Sequence, residues 1–332
     1  MPQPSYEFAL GRIGVLSTHL LSTAQVRRIA EAGSAREALK LLLETGYGEN
    51  VATEQEIARG DVDLIIRDQL QLTRKRIKEL TPDPELTGLF LLPVDTHNIK
   101  ALLKARLLGT NADAILRDGG NFPLETLKDM IQTKYYEDLP PVYRDVMNRI
   151  ESGFTRGEAD PLLFSAMVDG AMFTQVQKVL DARKEKGFIR DFFSLWADFQ
   201  NTLSVIRAQN LHWSLNQLKA VLLDAGSIEK SIFEDSLSTP PEQLGARLSQ
   251  GAHGLALEQA ISEFAQTNDI GAITKRMQEG LMHIIQDARW QAHSLGPIVG
   301  YLLAREAEAE ALRLIFGALE GGFEPQLPEM YA

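Results

Sequence analysis

Three stretches of this chain share one apolar spacing, and they lie about a third of its length apart. The first reads Asp95-Thr96-His97-Asn98-Ile99-Lys100-Ala101-Leu102-Leu103-Lys104, the second Asp198-Phe199-Gln200-Asn201-Thr202-Leu203-Ser204-Val205-Ile206-Arg207. A looser third copy runs Glu308-Ala309-Glu310-Ala311-Leu312-Arg313-Leu314-Ile315-Phe316-Gly317. Asp95 and Asp198 are 103 residues apart, and Asp198 and Glu308 are 110 apart. Ile99, Leu102 and Leu103 are matched by Thr202, Val205 and Ile206, then by Leu312, Ile315 and Phe316. Spacing of i, i+3, i+4 is one face of a helix, so each copy offers a similar edge for burial.

A second element recurs in the same order. Ala38-Leu39-Lys40-Leu41-Leu42-Leu43-Glu44-Thr45 resembles Thr126-Leu127-Lys128-Asp129-Met130-Ile131-Gln132-Thr133, with Gln243-Leu244-Gly245-Ala246-Arg247-Leu248-Ser249-Gln250 as a looser third version. Apolar residues at helical spacing match one another by chance in any helix-rich chain. Two elements recurring in one order point instead to triplication. The expected units are residues 5–110, 111–215 and 216–325.

Size and composition agree. At 332 residues the chain exceeds the roughly 250–300 at which one core stops growing. Units of about 110 residues are ordinary domains, and 44% hydrophobic residues suffice to fill a core in each. The net charge of −11 argues against a general nucleic-acid binder, which needs a basic face to displace counterions. The absence of cysteine excludes disulfides, thiolate metal sites and cysteine nucleophiles. The opening residues have no signal-peptide pattern, and the longest apolar stretch, Trp290 to Ala304, is broken by Gly296 and Pro297. A soluble cytoplasmic chain is expected.

Periodicity is helical almost throughout. Val62, Ile66, Leu70, Thr73, Ile77 and Leu80 form one stripe, with Arg74, Lys75, Arg76 and Lys78 crowding its C-terminal end. Cations there suit the negative end of the helix dipole, a reading preferred over a binding patch. Thr81-Pro82-Asp83-Pro84 ends that helix, since proline lacks a donor and disfavours helix in the residue before it. Residues 169–199 are similarly helical, with Gly187 as a break. Pro140-Pro141 and Pro240-Pro241 punctuate the later units. The pattern predicts an all-α fold built by helix-on-helix packing.

The search for chemistry finds little. There is no phosphate-binding GxxxxGK[ST] loop, no dinucleotide fingerprint, no HExxH and no Gly-x-Ser-x-Gly elbow. Six histidines are scattered along the chain, and no cofactor or metal is expected. Asp95, Asp198 and Glu308 as three convergent metal ligands are set against the simpler reading of helix caps, with Asn98 and Asn201 bonding back to the preceding turn. The cap reading is preferred. Lys100, Lys104, Arg106, Arg207 and Arg313 line the same helices, as solvated faces by default and as the candidate partner-binding residues. Trp196, Trp213 and Trp290 read as core or inter-unit packing. Glu306, Glu308 and Glu310 alternate, share no helix face and form no chelate.

Taken together, several motifs resemble the C subunit of archaeal and bacterial V-type (A/V-type) ATP synthases, counterpart of the eukaryotic V-ATPase d subunit. They are Tyr6-x-x-Ala9-x-x-Arg12 with Leu20-Leu21-Ser22, Leu42-Leu43-Glu44-Thr45-Gly46-Tyr47-Gly48, Asp95-x-x-Asn98-Ile99-Lys100-x-Leu102-Leu103-Lys104-Ala105-Arg106, and Glu310-x-x-Arg313-x-Ile315. The likeness spans essentially the whole chain and departs at Ala311, where the family often has Asn. It implies three pseudo-threefold-related helical lobes forming a funnel-shaped socket. It also implies a rotor adaptor without an active site, between the central-stalk subunits and the membrane proteolipid ring, on the cytoplasmic face of the membrane. The alternative is a generic α-helical scaffold for protein–protein interaction. Repeats of 110 residues are too long for a solenoid of 20–45-residue units.

Overall fold

Helix starts in this chain are written in its serines, aspartates and prolines. Ser5 opens α1 (Tyr6–Ser17), Ser22 forms a capping box with Gln25 at α2 (Thr23–Ala30), and Ser34 opens α3 (Ala35–Glu44). Asp61 caps α4 (Val62–Leu80), and Asp83 with Pro84 starts α5 (Pro84–Leu89). Then follow α6 (Leu92–Leu108), α7 (Leu124–Thr133), α8 (Pro141–Arg156), and α9 (Pro161–Ala182), which is capped by Asp160. The later elements are α10 (Phe188–Asn210), α11 (Leu215–Val221), α12 (Lys230–Asp235), α13 (Pro241–Leu248), α14 (Gly254–Thr267), α15 (Ile270–Ala288) and α16 (Gly296–Gly321). The computed structural model describes residues 4–49, 61–157, 160–291, 293–325 and 327, and among these there is no strand. The fold is all-α.

The helices gather into two compact units. One takes residues 1–91, 117–121 and 288–332; the other takes 92–116 and 122–287. In the first, α16 packs on α1 and α4 and also touches α2 and α3. Ile29, Leu42, Ile65, Ile66, Leu312 and Ile315 form its centre, each at most 1% exposed. In the second, α6 packs on α7 and α9, α9 on α8, α10 on α11 and α12, and α13 on α14. Phe199, Val205, Leu218, Phe233, Leu257 and Ile261 fill one of its cores. Each such side chain contributes about 1.5–3 kcal/mol when withdrawn from water.

The three signature stretches lie on α6, α10 and α16. Eight of their nine matched apolar-face residues are buried, and Leu102 is half-buried. The second element falls on α3, α7 and α13, with Leu39, Leu127 and Leu244 buried at its matching position, but the loop contacts of the signature acids pair α7 with α2 and α12 instead. Helix α4 ends at Leu80, and Gly187 separates α9 from α10, as the sequence suggests.

Two expectations need correction. Arg74 is neither a cation spent on the helix dipole nor part of a binding patch: it is 5% exposed, donates to Glu306 (2.8 Å) and to the Asp118 carbonyl (2.9 Å), and lies against Gly119. A Cβ on Gly119 would meet the Arg74 side chain at 2.8 Å, so the loop closes over this arginine only because position 119 is glycine. Trp290 is no core residue; it follows the end of α15 in a turn and is 87% exposed.

Gly187 carries φ +91° and ψ −151°, backbone that side-chain-bearing residues scarcely adopt. No atom stands within 4 Å of where its Cβ would be, so any cost of Gly187→Ala is conformational and not steric. The variant is expected to lose about 1–3 kcal/mol of stability, read as a lowered midpoint in thermal melts followed by circular dichroism. An unchanged midpoint would contradict this account.

Candidate functional site

The matched acids sit where a carboxylate is costly, and each is answered by backbone donors. Asp198 lies in the interior of α10, fully buried. Its Oδ2 accepts the Ser227 N–H (3.0 Å) and hydroxyl (2.6 Å), and its Oδ1 accepts the Ile228 N–H (3.2 Å). The loop approaches so closely that a Cβ on Gly226 would stand 2.1 Å from Asp198 Oδ1. One turn on, Asn201 donates from Nδ2 to the Leu223 carbonyl (3.0 Å) and accepts the Leu223 N–H at Oδ1 (2.7 Å). The Asp-x-x-Asn pair thus holds two points of one loop.

In the other copies too the matched acid accepts a backbone N–H from a distant loop. Asp95, in the first turn of α6, accepts the Phe122 N–H at 3.2 Å, and Asn98 beside it is fully buried. Glu308, in the interior of α16, accepts the Leu21 N–H at 2.6 Å. Where the other copies carry Asn, this one has Ala311, and Arg305 supplies the missing donor. Its guanidinium reaches the His19 carbonyl (2.8 Å) and pairs with Glu308 at 2.5 Å.

The register is common to all three. Leu21 comes two residues before the first residue of α2, Phe122 two before α7, and Ile228 two before α12. Each donor is therefore the residue ahead of the N-cap of the following short helix. The expected capping by Asp198 and Glu308 of their own helices is corrected accordingly. Both lie mid-helix, and what they fix is the approach to another helix. Asn201 likewise bonds to Leu223 and not to its own preceding turn. The sequence does carry a signal for this: Leu21/Val26, Phe122/Leu127 and Ile228/Phe233 are apolar pairs at the N′ and N4 positions of a hydrophobic staple.

Burial lifts the Asp198 carboxyl above its ordinary value, and the Ser227 and Ile228 donors reverse only part of the lift. Burial acts the same way on Glu308, partly offset by Arg305 and the Leu21 N–H. At Arg305 burial pulls downward, but Glu308 and Tyr301 outweigh it and the group ends above its ordinary value. A guanidinium at this distance from a carboxylate keeps its proton.

The five candidate partner-binding cations separate into three kinds. Arg106 is used internally, bonded to Glu151 (2.6 Å) and the Ile131 carbonyl (2.8 Å), with its guanidinium 4.6 Å from the Phe154 ring centre. Arg313 pairs with Asp63 at 2.8 Å on an exposed surface of the first unit, and Lys100 pairs with Asp169 at 2.6 Å in the second. Lys104 and Arg207 are exposed and form no ion pair among the described residues. Lys100 and Arg207 line a cleft of about 390 Å³ with Asp169, Phe173, Trp196 and Trp213. Lys104 lines an adjoining depression that shares Lys100 and Ser165 with the cleft.

Among the described residues no three His, Asp or Glu side chains gather as metal ligands, and no helix is long and apolar enough to cross a membrane. The class this defines is an all-helical protein in which three matched buried acids each hold a loop of the same chain. The chain belongs to the family described as ATP synthase (C/AC39) subunit, which it matches over residues 9–329. It is similar to the C subunit of the A-type ATP synthase of Methanocaldococcus jannaschii, at 23% identity over 98% of this chain and 84% of that one. Against the corresponding A-type protein of Haloferax volcanii the identity is 21%, over 97% and 96%. The C subunit of the V-type sodium ATPase of Enterococcus hirae is 24% identical over 72% of each.

Asp198→Asn keeps the shape but turns an acceptor into a partial donor facing N–H and O–H groups. A loss of about 2–4 kcal/mol at pH 7 is expected from the stranded donors. The pH dependence has a definite sign. A carboxyl whose folded value is raised above 3.8 gives the folded state its tighter proton, a contribution complete below 3.8 and lost as pH rises through the folded value. The stability gap between the parent chain and Asp198→Asn should therefore widen as pH falls from 7 towards 4. Denaturant titrations at several pH values check this; a gap that narrows over that window contradicts it.

Proposed function

We propose that this chain is a non-catalytic rotor adaptor of a V-type ATP synthase or ATPase. In this reading it joins the central-stalk subunits to the membrane proteolipid ring, on the cytoplasmic face, and transmits torque while ion transport is coupled to ATP synthesis or hydrolysis. The observation that carries the reading is the family match across nearly the whole chain, together with relatives named as C subunits of A-type and V-type complexes.

The latches support the architecture that such a role requires. Three lobes, close to residues 5–110, 111–215 and 216–325, would surround a common axis as a funnel. If each lobe ends on its signature helix, each buried acid holds a short helix near the start of the next lobe. Asp95 leads to α7 and Asp198 to α12; Glu308, on the last long helix, leads back to α2 at the start of the chain. A cyclic order of this kind is what a linear stack of repeats lacks. It suits a part that must carry twist without shearing, because close-packed cores deform little and directional bonds hold register.

The decisive experiment omits the chain from an otherwise assembled complex. ATP hydrolysis is expected to persist in the catalytic head while ion movement across the membrane collapses, measured as nucleotide turnover against ion uptake in the same vesicles. Ion pumping at full strength without the chain would remove this reading.

A further inference from the structure

The cleft of the second unit opens beside its core: Trp196, Trp213 and Val221 of its lining pack on that core from one side and leave the other side open. Its floor is aromatic and fixed. Trp196 is held edge-on by Phe173 (5.4 Å between ring centres) and Phe192 (6.1 Å), and stacks on Phe193 (6.1 Å). Its rim carries Leu162 and Leu211, 55% and 61% exposed, beside half-buried Trp213. Tryptophan and arginine are enriched at interface centres, and exposed leucines clustered on one rim mark a surface that something covers.

Charge selects the partner. Of the cations along the trough, Lys100 is answered by Asp169, while Lys104 and Arg207 have no carboxylate among the described residues. In a chain of net charge −11, two unanswered cations flanking one apolar cleft mark it for an acidic visitor. Size narrows the form. About 390 Å³ is the volume of roughly a dozen waters, enough for one or two large side chains and not for a whole segment. A helix laid across the cleft meets this by inserting apolar residues one turn apart and turning flanking carboxylates towards the cations.

We infer that this trough, from Lys104 to Arg207, docks an amphipathic helix of another protein of the assembly that carries Asp or Glu on both sides of its apolar stripe. The inference deepens the adaptor reading and rests on it, since it supposes that the chain works inside an assembly. Leu223 ties the trough to the second latch: its side chain lines the cleft while its backbone is held by Asn201.

The test uses the assembled ATPase with p-benzoylphenylalanine in place of Leu211 and, as a control, in place of Leu255, which is 71% exposed and elsewhere on the second unit. Illumination at position 211 is expected to give one main adduct, on a helical peptide with at least two carboxylates flanking its apolar stripe; position 255 gives none on that peptide. Lys104→Glu with Arg207→Glu should cut the adduct at least tenfold, and Lys104→Arg with Arg207→Lys should restore it. All these sites are exposed, so melting curves should match the parent chain. Intact, coupled complexes without an adduct at 211 overturn the docking inference and leave the adaptor standing. So does an adduct on lipid or on a segment without acids, or a yield indifferent to charge reversal. Failure of the adaptor reading shows separately, as coupling that survives without the chain.

Discussion

A carboxylate in the middle of a helix, withdrawn from water and bonded to the backbone just ahead of the next short helix, is the constraint on which this structure turns. The first turn of any helix leaves N–H groups unpaired, and the residue before the cap sets the angle at which the chain arrives. Helices α2 and α12 are too short to hold their own position by propensity. Their apolar residues Leu21, Val26, Ile228 and Phe233 are buried, but burial alone is non-directional and would tolerate sliding. Bonds from Leu21 to Glu308 and from Ile228 to Asp198 fix where each helix begins.

The third copy reaches that end by a different chemical route. Asp198 takes its three bonds from neutral donors, so the negative charge is spread over loop dipoles. Glu308 is one methylene longer and has Ala311 where Asn201 stands in the second copy, which leaves no side-chain amide to bind the loop carbonyl. Arg305 restores that bond through the His19 carbonyl and neutralises the acid as well. A buried ion pair is seldom a net gain over apolar packing, but stranding either member is expensive. The two substitutions are therefore chemically linked: with Ala311 in place, Glu308 without Arg305 would be an unpaired buried charge.

Helical period, breaks and the matched faces were legible in the sequence because they depend on local spacing. Ile99 and Leu312 at equivalent positions needed no knowledge of what covers them, and Thr81-Pro82-Asp83-Pro84 ends a helix wherever it stands. Asp95 was legible as a first-turn acid, but Asp198 and Glu308 were legible as special and misread in role, because a cap and a latch use the same residue types. What tells them apart is whether apolar periodicity continues upstream. Phe192, Phe193 and Leu195 precede Asp198, and Ile298, Val299 and Leu302 precede Glu308, so neither begins a helix. Partners far apart in sequence, such as Arg74 with Glu306, have no local signature at all. The same holds for the cations: nothing in the spacing of Arg106 and Arg207 distinguishes the one bonded under Phe154 from the one at the cleft.

The latches and the cleft meet in the second signature helix, and this bears on how load would pass through an adaptor. α10 carries Asp198 and Asn201 on the side that holds the loop, and Trp196, Gln200, Ser204 and Arg207 along the cleft. A force applied at Arg207 enters a helix whose turns are packed on Phe233, Leu218 and Ile261, and leaves through bonds whose length and angle resist displacement. Apolar contacts supply most of the cohesion, since their sum far exceeds a few hydrogen bonds, but they set no preferred offset along the helix axis. The bonds from Asp198 and Asn201 do set one, at two successive points of the loop. In such an adaptor the buried polar groups would add a fixed register to the stiffness that the close-packed apolar core already supplies.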